Sequence, residues 1–295
     1  MRNILAFILF YLYYPSIKRL TRKNDALLSI YGHNPKGKSI EKTIKFLIKH
    51  GYDFITPAEV MTFLDGKLKK GKPVWLSFDD GRKNIYHELL PLLEKHKIPA
   101  TIFLATKGIN DGYFWTDKAL ENRKSKLYTK IDELWQMHNE KRKIIINMLP
   151  AYKGKRSAMS RKELLELSKS EYVFLANHTH DHVICDTCTS DELKAEIKMC
   201  EEHIKIITGK PCIKAFAYPN GNYDSKTIVL LKETGYKLAA STSLDWVYNS
   251  TDPYLIPRFV LPDDASFFES ILQIFGLWTP FFDKIKKILG IKNHK

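Results

Sequence analysis

From residue 26 onward, short apolar runs alternate with stretches whose apolar residues recur at helical spacing. Residues 26–31 predict a first strand, ending at Gly32-His33. Residues 38–50 carry a helical stripe (Ile40, Thr43, Ile44, Leu47, Ile48) closed by Gly51, and Thr56-Pro57 opens another helix as N-cap and first residue. Residues 74–78 predict a buried strand, Ile85, Leu89, Leu92 and Leu93 a helix, and residues 100–105 the next strand. The pattern is lost over residues 110–160, which hold Trp115, Trp135, many basic residues and no strand signal. That stretch predicts a largely helical insertion at the mouth of a cleft, where it could select substrate. Pattern resumes at the capping box of Ser160 and Glu163 and the strand 172–176. A long amphipathic helix follows, capped by Ser190 and running through Leu193, Ile197, Cys200, Ile204 and Ile207 to Gly209. Residues 213–218, 225–234 and 236–241 then predict strand, helix and strand. Such alternation predicts an α/β fold built on a parallel sheet or barrel.

Both ends of the chain depart from this alternation. Residues 4–14 are apolar without a break before Pro15; as a helix they would reach about 17 Å, short of the roughly 30 Å hydrocarbon core of a bilayer. No small-x-small cleavage pattern follows them. Residues 1–24 therefore read as an uncleaved interfacial anchor, with Tyr11, Tyr13 and Tyr14 at headgroup level and Lys18, Arg19, Arg22 and Lys23 on anionic lipid; a helix packed on the domain is the alternative. The tail, residues 266–295, sets Phe281, Phe282, Ile285, Ile288 and Leu289 against Asp283, Lys284, Lys286 and Lys287, as an in-plane membrane helix does. Packing of that apolar face on the barrel is again the alternative.

Composition sharpens this picture. A length of 295 residues, 44% of them hydrophobic, suits one barrel-sized domain, assigned to residues 25–265. The formal net charge of +14 favours anionic partners. Its concentration at the two ends, without a nucleic-acid-binding motif, points to a membrane surface and away from nucleic acid. The expected location is membrane-associated, peripheral or monotopic, on a side the residues leave open. Four cysteines, Cys185, Cys188, Cys200 and Cys212, do not make a disulfide scaffold.

The candidate chemistry sits where the strand 74–78 stops at Asp79-Asp80-Gly81. Two adjacent carboxylates do not both stay ionised cheaply without a cation, so one reads as a metal ligand and the other as a free base. About a hundred residues later, His178 and His182 stand four apart after another strand and can face one point. One carboxylate and two imidazoles leave coordination positions open, as in catalytic metal sites. Cys185-x-x-Cys188 offers a rival structural zinc site, but it would leave both aspartates unexplained.

These residues also carry a resemblance. Ser77-Phe78-Asp79-Asp80-Gly81 resembles the [ST]-F-D-D-G motif of the polysaccharide deacetylases, the NodB-homology or carbohydrate esterase 4 group. His178-Thr179-x-x-His182 resembles that family's H-[ST]-x-x-H motif. Pro99-Ala100-Thr101-Ile102-Phe103-Leu104 is similar to its second core strand and Phe216-Ala217-Tyr218-Pro219-Asn220-Gly221 to its third motif, so the resemblance spans roughly residues 25–262. It implies a distorted (β/α) barrel of the NodB-homology type, to which the residue pattern adds the helical insertion and the membrane-facing terminal segments. It implies a divalent metal, zinc before others, on Asp80, His178 and His182, with Asp79 as base. Asn220 would supply a backbone N–H to the oxyanion, with Tyr218 beside the substrate, and Thr179 would shape the histidine loop.

The third motif lacks its arginine, a departure similar to the poly-N-acetylglucosamine deacetylase branch; Arg258, in Ile256-Pro257-Arg258-Phe259, is the candidate substitute. Asp245-Trp246 resembles the fourth motif without its first acid. The late Leu-x-His that supplies the family's general acid is absent, because only His294 follows His203. His33, at the end of the first strand, is a candidate contact to substrate or metal surroundings. The resemblance implies a metal-dependent hydrolase that removes N-acetyl groups from an amino sugar in a cell-envelope polysaccharide or lipid-linked glycan precursor. The alternatives are a deformylase or O-deacetylase of a lipid-linked sugar, or a weakly active glycan-binding module.

Overall fold

The computed structural model describes residues 2–281 apart from positions 24, 70, 126 and 127. The tail positions Phe282, Asp283, Lys284, Ile285, Lys286, Lys287, Ile288 and Leu289, on which the in-plane helix was expected, lie outside the described residues.

Helices α1 (Arg2–Leu12) and α2 (Tyr14–Leu20) precede β1 (Leu28–Gly32), α3 (Gly37–Lys49), β2 (Asp53–Phe54), α4 (Pro57–Leu64) and β3 (Pro73–Phe78). Next come α5 (Leu90–His96), β4 (Ala100–Leu104) and α6 (Thr106–Asp111), and then the helices α7 (Trp115–Glu121), α8 (Ile131–Gln136) and α9 (Asn139–Met148). The alternation resumes with α10 (Arg161–Leu167), β5 (Val173–Asn177), α11 (Ser190–Thr208), β6 (Ala215–Ala217), α12 (Ser225–Glu233), β7 (Leu238–Ala240), β8 (Phe259–Val260) and α13 (Phe267–Ile274). All strand pairings are parallel, in the order β7-β6-β5-β4-β3-β1-β8, with β2 beside the start of β3.

The last segment nearly closes the sheet on itself. Ile256 bridges to Ala240 at the end of β7, and Phe259 pairs with Ile30 of β1. The result is a distorted (β/α) barrel. Alternation in β3 explains its two cores: Val74, Leu76 and Phe78 face the outer helices, and Trp75 faces the interior with Phe103 and Ala217. The register sets Gly32, Phe78 and Ile102 side by side, and Leu104 beside Asn177. The residues after each strand therefore emerge at one carboxyl-terminal face, where barrels of this type carry their chemistry.

Local signals hold in most places. Thr56 and Ser160 both cap through the reciprocal box. The cap of α11 is Thr189 rather than Ser190: the Thr189 hydroxyl accepts from Glu192 N–H at 3.2 Å and the Glu192 carboxylate takes the Thr189 N–H at 2.7 Å, leaving Ser190 as the first helical residue. The insertion is helical and holds its own small core of Trp115, Ala119, Leu134, Ile146 and Leu149.

At the amino terminus, α1 lies against α13. Ala6, Leu9 and Phe10 are buried there, Phe7 and Phe10 meet the ring of Phe268 edge-on at 5.1 and 5.2 Å, and Arg2 pairs with Glu269. Each of Leu9 and Phe10 contributes about 1.5–3 kcal/mol by leaving water. The opposite face of α1 stays open, with Ile8 55% and Leu12 67% exposed. No helix among the described residues is long and apolar enough to cross a membrane.

Candidate metal centre and cleft

The β3 pleat sends Ser77 and Asp79 to the same side, and the chain then leaves the strand through Asp80 at φ 74° and Gly81 at φ 95°. This reversal turns Asp80 away from Asp79. A side chain at Gly81 would also stand 2.8 Å from Leu104, so glycine is needed there for space as well as conformation. Positive φ recurs at Thr179 (64°), His182 (48°) and Asn220 (58°), and the remaining non-glycine case, Lys97, ends a helix. For β-branched Thr179 this conformation is costly. Asp80, His182 and Asn220 line one cleft, and Thr179 is buried behind it in the histidine loop, which is how backbone strain distributes when a site needs it.

Asp80, His178 and His182 converge. His178 Nε2 lies 3.7 Å and His182 Nε2 3.4 Å from Asp80 Oδ1, and the three donor atoms fall within 4.8 Å of one another. Ligand bonds of about 2.0–2.2 Å to one tetrahedral cation require separations of this size. Asp80 Oδ1 is buried with no hydrogen-bond partner, which a bound cation would satisfy. Nδ1 of His178 lies 2.8 Å from the Ala217 carbonyl, so as N–H it donates there and leaves Nε2 as the lone pair facing Asp80. Burial lowers the His178 pKa to about 4, against the pull of Asp79, so the ring is a neutral ligand at pH 7. For Asp80, burial raises the pKa, but His182, His33 and Arg82 together hold it well below the carboxylate range. The donor set fits a divalent metal, and no other such group occurs among the described residues. Cys185 and Cys188, the rival zinc ligands, are free thiols, and burial pushes Cys188 up to about 12.

The middle histidine of the loop turns elsewhere. His180 Nδ1 meets the Thr106 hydroxyl at 2.8 Å, and its ring packs on His203 at 4.5 Å. The loop is held by Thr179, whose hydroxyl accepts from Val183 N–H at 3.0 Å, and by Asn177, whose side-chain oxygen accepts from Thr179 N–H at 2.8 Å.

Asp79, 2% exposed, receives both Arg258 guanidinium nitrogens at 2.8 Å each. Arg258 is fully buried; its Nη1 also reaches Ser77 Oγ at 3.2 Å, its Nε donates to Ser241 O at 3.0 Å, and its plane lies 4.3 Å from the Tyr31 ring. Burial alone would raise the Asp79 pKa, but Arg258 and His178 outweigh it and keep the carboxyl ionised below its ordinary range.

A cavity of about 590 Å³ opens above these groups, lined also by His33, Tyr218, Asn220 and Asp263. His33 and Asn34 give their backbone N–H groups to Asp263. The Tyr218 hydroxyl donates to Tyr254 O at 2.9 Å, which commits it and leaves the ring for the cleft wall. Sequence reasoning passed over Arg82, which donates to Asp80 at 3.3 Å and to Asp117 at 2.8 Å, and Trp115, whose indole N–H donates to the His182 carbonyl at 3.1 Å. Arg82, directly after the Asp-Asp-Gly triplet, was the legible one; Trp115 and Asp117 come from the insertion, where no pattern marks a partner.

Comparison with known proteins agrees with this geometry. The polysaccharide deacetylase family model matches residues 66–239. A poly-beta-1,6-N-acetyl-D-glucosamine N-deacetylase of Staphylococcus aureus is 28% identical over 263 residues, covering 86% of this chain and 75% of that protein. The like-named protein of Staphylococcus epidermidis is 27% identical over 276 residues, covering 88% and 80%. Among solved structures, IcaB from Ammonifex degensii superposes with a TM-score of 0.62 at 19% identity, over 86% of this chain and 97% of that one. The deacetylase PplD of Streptococcus pyogenes, in complex with acetate, gives 0.60 at 18%, over 85% and 97%. With the family model covering more than half of its length, and its matched span containing the aspartate pair and the histidine loop, the chain belongs to the polysaccharide deacetylase family.

Proposed function

We propose that the protein is a metal-dependent N-deacetylase of a cell-envelope poly-N-acetylglucosamine. The observation that carries this reading is the ion-paired Asp79 beside the Asp80, His178 and His182 cluster in one cavity. The polymer is taken from the names of the staphylococcal relatives. A divalent cation on Asp80, His178 and His182, for which zinc is the first choice, would supply carbonyl polarisation and a more acidic water. Asp79 accepts the proton of the attacking water, and Arg258 fixes that carboxylate in ionised form and in one orientation. The left-handed turn at Asn220 carries the backbone N–H assigned to the oxyanion. The leaving nitrogen needs a proton. His33 can give it: its ring has no hydrogen-bond partner among the described residues, and it faces the same cavity as both aspartates. The C–N bond breaks, acetate retains the water oxygen, and the amine leaves protonated.

The test is metal content measured together with amine release, on a β-1,6-linked N-acetylglucosamine oligomer and on a lipid-linked acetamido sugar. Wild-type protein is expected to bind about one metal per chain and to release amine from the oligomer. His178→Ala is expected to lose both. Amine release that survives metal removal by a chelator would sink the reading.

The same reading places the enzyme at a membrane. Its support is the open face of α1, with Ile8 and Leu12 among its exposed residues, followed by exposed Lys18, Arg19 and Arg22. Arg2 at its start pairs with Glu269 and lies near Asp264, next to the cleft residue Asp263. Lys23 takes no part, being folded onto Tyr248 at 2.6 Å. Sedimentation with phosphatidylglycerol vesicles is expected to carry the protein down at low salt. Ile8→Asp with Leu12→Asp should weaken this by more than about tenfold. Indifference of wild-type protein to vesicles removes the proposal.

A further inference from the structure

We infer that Arg82 is a positioning residue for the metal centre: with Asp117 of the insertion it holds Asp80 so that a single carboxylate oxygen is offered to the cation. The inference rests on the metal-dependent reading above and gives the insertion a part in that site. The two adjacent aspartates each face an arginine, and the two arginines act differently. Arg258 takes both oxygens of Asp79 at 2.8 Å each, and Asp79 stays outside the metal cluster. Arg82 takes Oδ2 of Asp80, through Nε at 3.3 Å, and leaves Oδ1 facing Nε2 of His178 and of His182. A carboxylate free to turn can bind a cation through one oxygen or through two. A donor on Oδ2 suppresses the second mode and keeps a coordination position open for water or substrate.

Distant segments fix Arg82 in place. Its Nη1 donates to Asp117 Oδ1 at 2.8 Å, and its guanidinium lies 4.7 Å from the Phe114 ring. Asp117 Oδ2 in turn accepts the Phe114 N–H at 3.0 Å and the Ser157 hydroxyl at 2.6 Å, so both ends of the insertion hold it. The backbone at Arg82 bridges to Ala158, and the Lys83 N–H reaches Ser157 O at 2.9 Å. Trp115, two residues before Asp117 on α7, donates to the His182 carbonyl and ties the same helix to another ligand of the cluster. Asp117 therefore meets Arg82 at a set place relative to both ligands. An exposed ion pair would be worth little here, but the Arg82 and Asp117 side chains are only 19% and 15% exposed. Asp80, Arg82 and Asp117 thus form a strut from the insertion to the metal ligand, the kind of outer support that sets ligand orientation and metal affinity.

The test reads metal binding directly. Zn²⁺ affinity is measured by competition with a chromophoric chelator, and the visible absorption of the Co²⁺-loaded protein reports coordination number. Arg82→Met keeps an apolar stem near Phe114 and removes both bonds. It is expected to weaken Zn²⁺ binding about tenfold, and to lower the Co²⁺ absorption as the freed Asp80 oxygen joins the cation. Arg82→Lys keeps the charge without the planar fork and should recover part of the affinity. Asp117→Asn leaves Asp80 and Arg82 in place but turns an amide N–H towards the guanidinium, and is expected to weaken Zn²⁺ binding about threefold. Should Arg82→Met not fold, Arg82→Lys and Asp117→Asn decide. Unchanged Zn²⁺ affinity and an unchanged Co²⁺ spectrum in the variants would overturn the inference, and a fall in the melting temperature of the metal-free protein alone would mean that Arg82 merely braces the insertion. Weakened metal binding in Arg82→Met and Asp117→Asn supports the inference even if wild-type protein releases no amine, in which case the deacetylase reading fails by itself. A wild-type protein that binds no metal removes both.

Discussion

Asp79→Asn is expected to lower kcat by about a thousandfold while leaving metal content unchanged. General-base catalysis contributes about 10²–10⁴-fold. Asp79 is the one buried carboxylate in the cavity that is outside the metal cluster and still ionised. Asparagine keeps its shape but accepts no proton. The variant also leaves the buried Arg258 without its counter-charge, so the rate must be taken on protein shown to be folded and metal-loaded. The pH profile reports on the base. The acidic limb of kcat/KM should lie low in wild-type protein, because Arg258 holds Asp79 below the ordinary carboxylate range despite its burial. His33→Gln should cost about a hundredfold, since the leaving nitrogen then lacks its proton donor. A rate within a few-fold of wild type in Asp79→Asn would place the base elsewhere.

The parts of this site that were legible are those set by local spacing. A strand that stops at Asp79-Asp80-Gly81 and a His-x-x-x-His after another strand share a face because parallel strands in register end together. The alternation of strands and helices likewise carried the barrel and its sheet. What stayed hidden depends on contacts between distant segments. Asn177 looks like an ordinary polar residue closing a strand; only the fold shows its side chain accepting from Thr179 and donating to Ile197 O and Tyr236 OH. The closure through Ile256 rests on a bridge from the end of β7 to a segment without strand patterning of its own. The apolar stretch at the start of the chain reads the same whether it faces lipid or protein, and in the structure it divides, with Phe10 against α13 and Leu12 outward.

Arg258→Met is expected to destabilise the protein by about 3–5 kcal/mol at neutral pH and to move the acidic limb of the activity profile upward. Arg258 and Asp79 form a fully buried, two-point ion pair. Removing one partner of such a pair strands the other charge in a medium that cannot solvate it, which sets that magnitude. The sign of the pH dependence follows from Asp79. In wild-type protein its folded pKa is depressed, so its contribution to stability is present above the unfolded value near 3.9 and fades as pH falls through the lower folded value. Without Arg258 burial prevails and the folded pKa rises above the unfolded one. Ionised Asp79 then opposes folding, and protonation relieves it. The stability gap between wild type and Arg258→Met should therefore narrow on acidification, as read from urea midpoints between about pH 7 and pH 4. Arg258→Met combined with Asp79→Leu should recover most of the lost stability with no activity, because it removes both charges together. Recovery in the double variant but not in the single one would show that Asp79 is held as an ion at a cost the fold carries for catalysis. A single variant as stable as wild type at pH 7 would mean that Asp79 does not depend on Arg258, and the base would need another source for its low pKa.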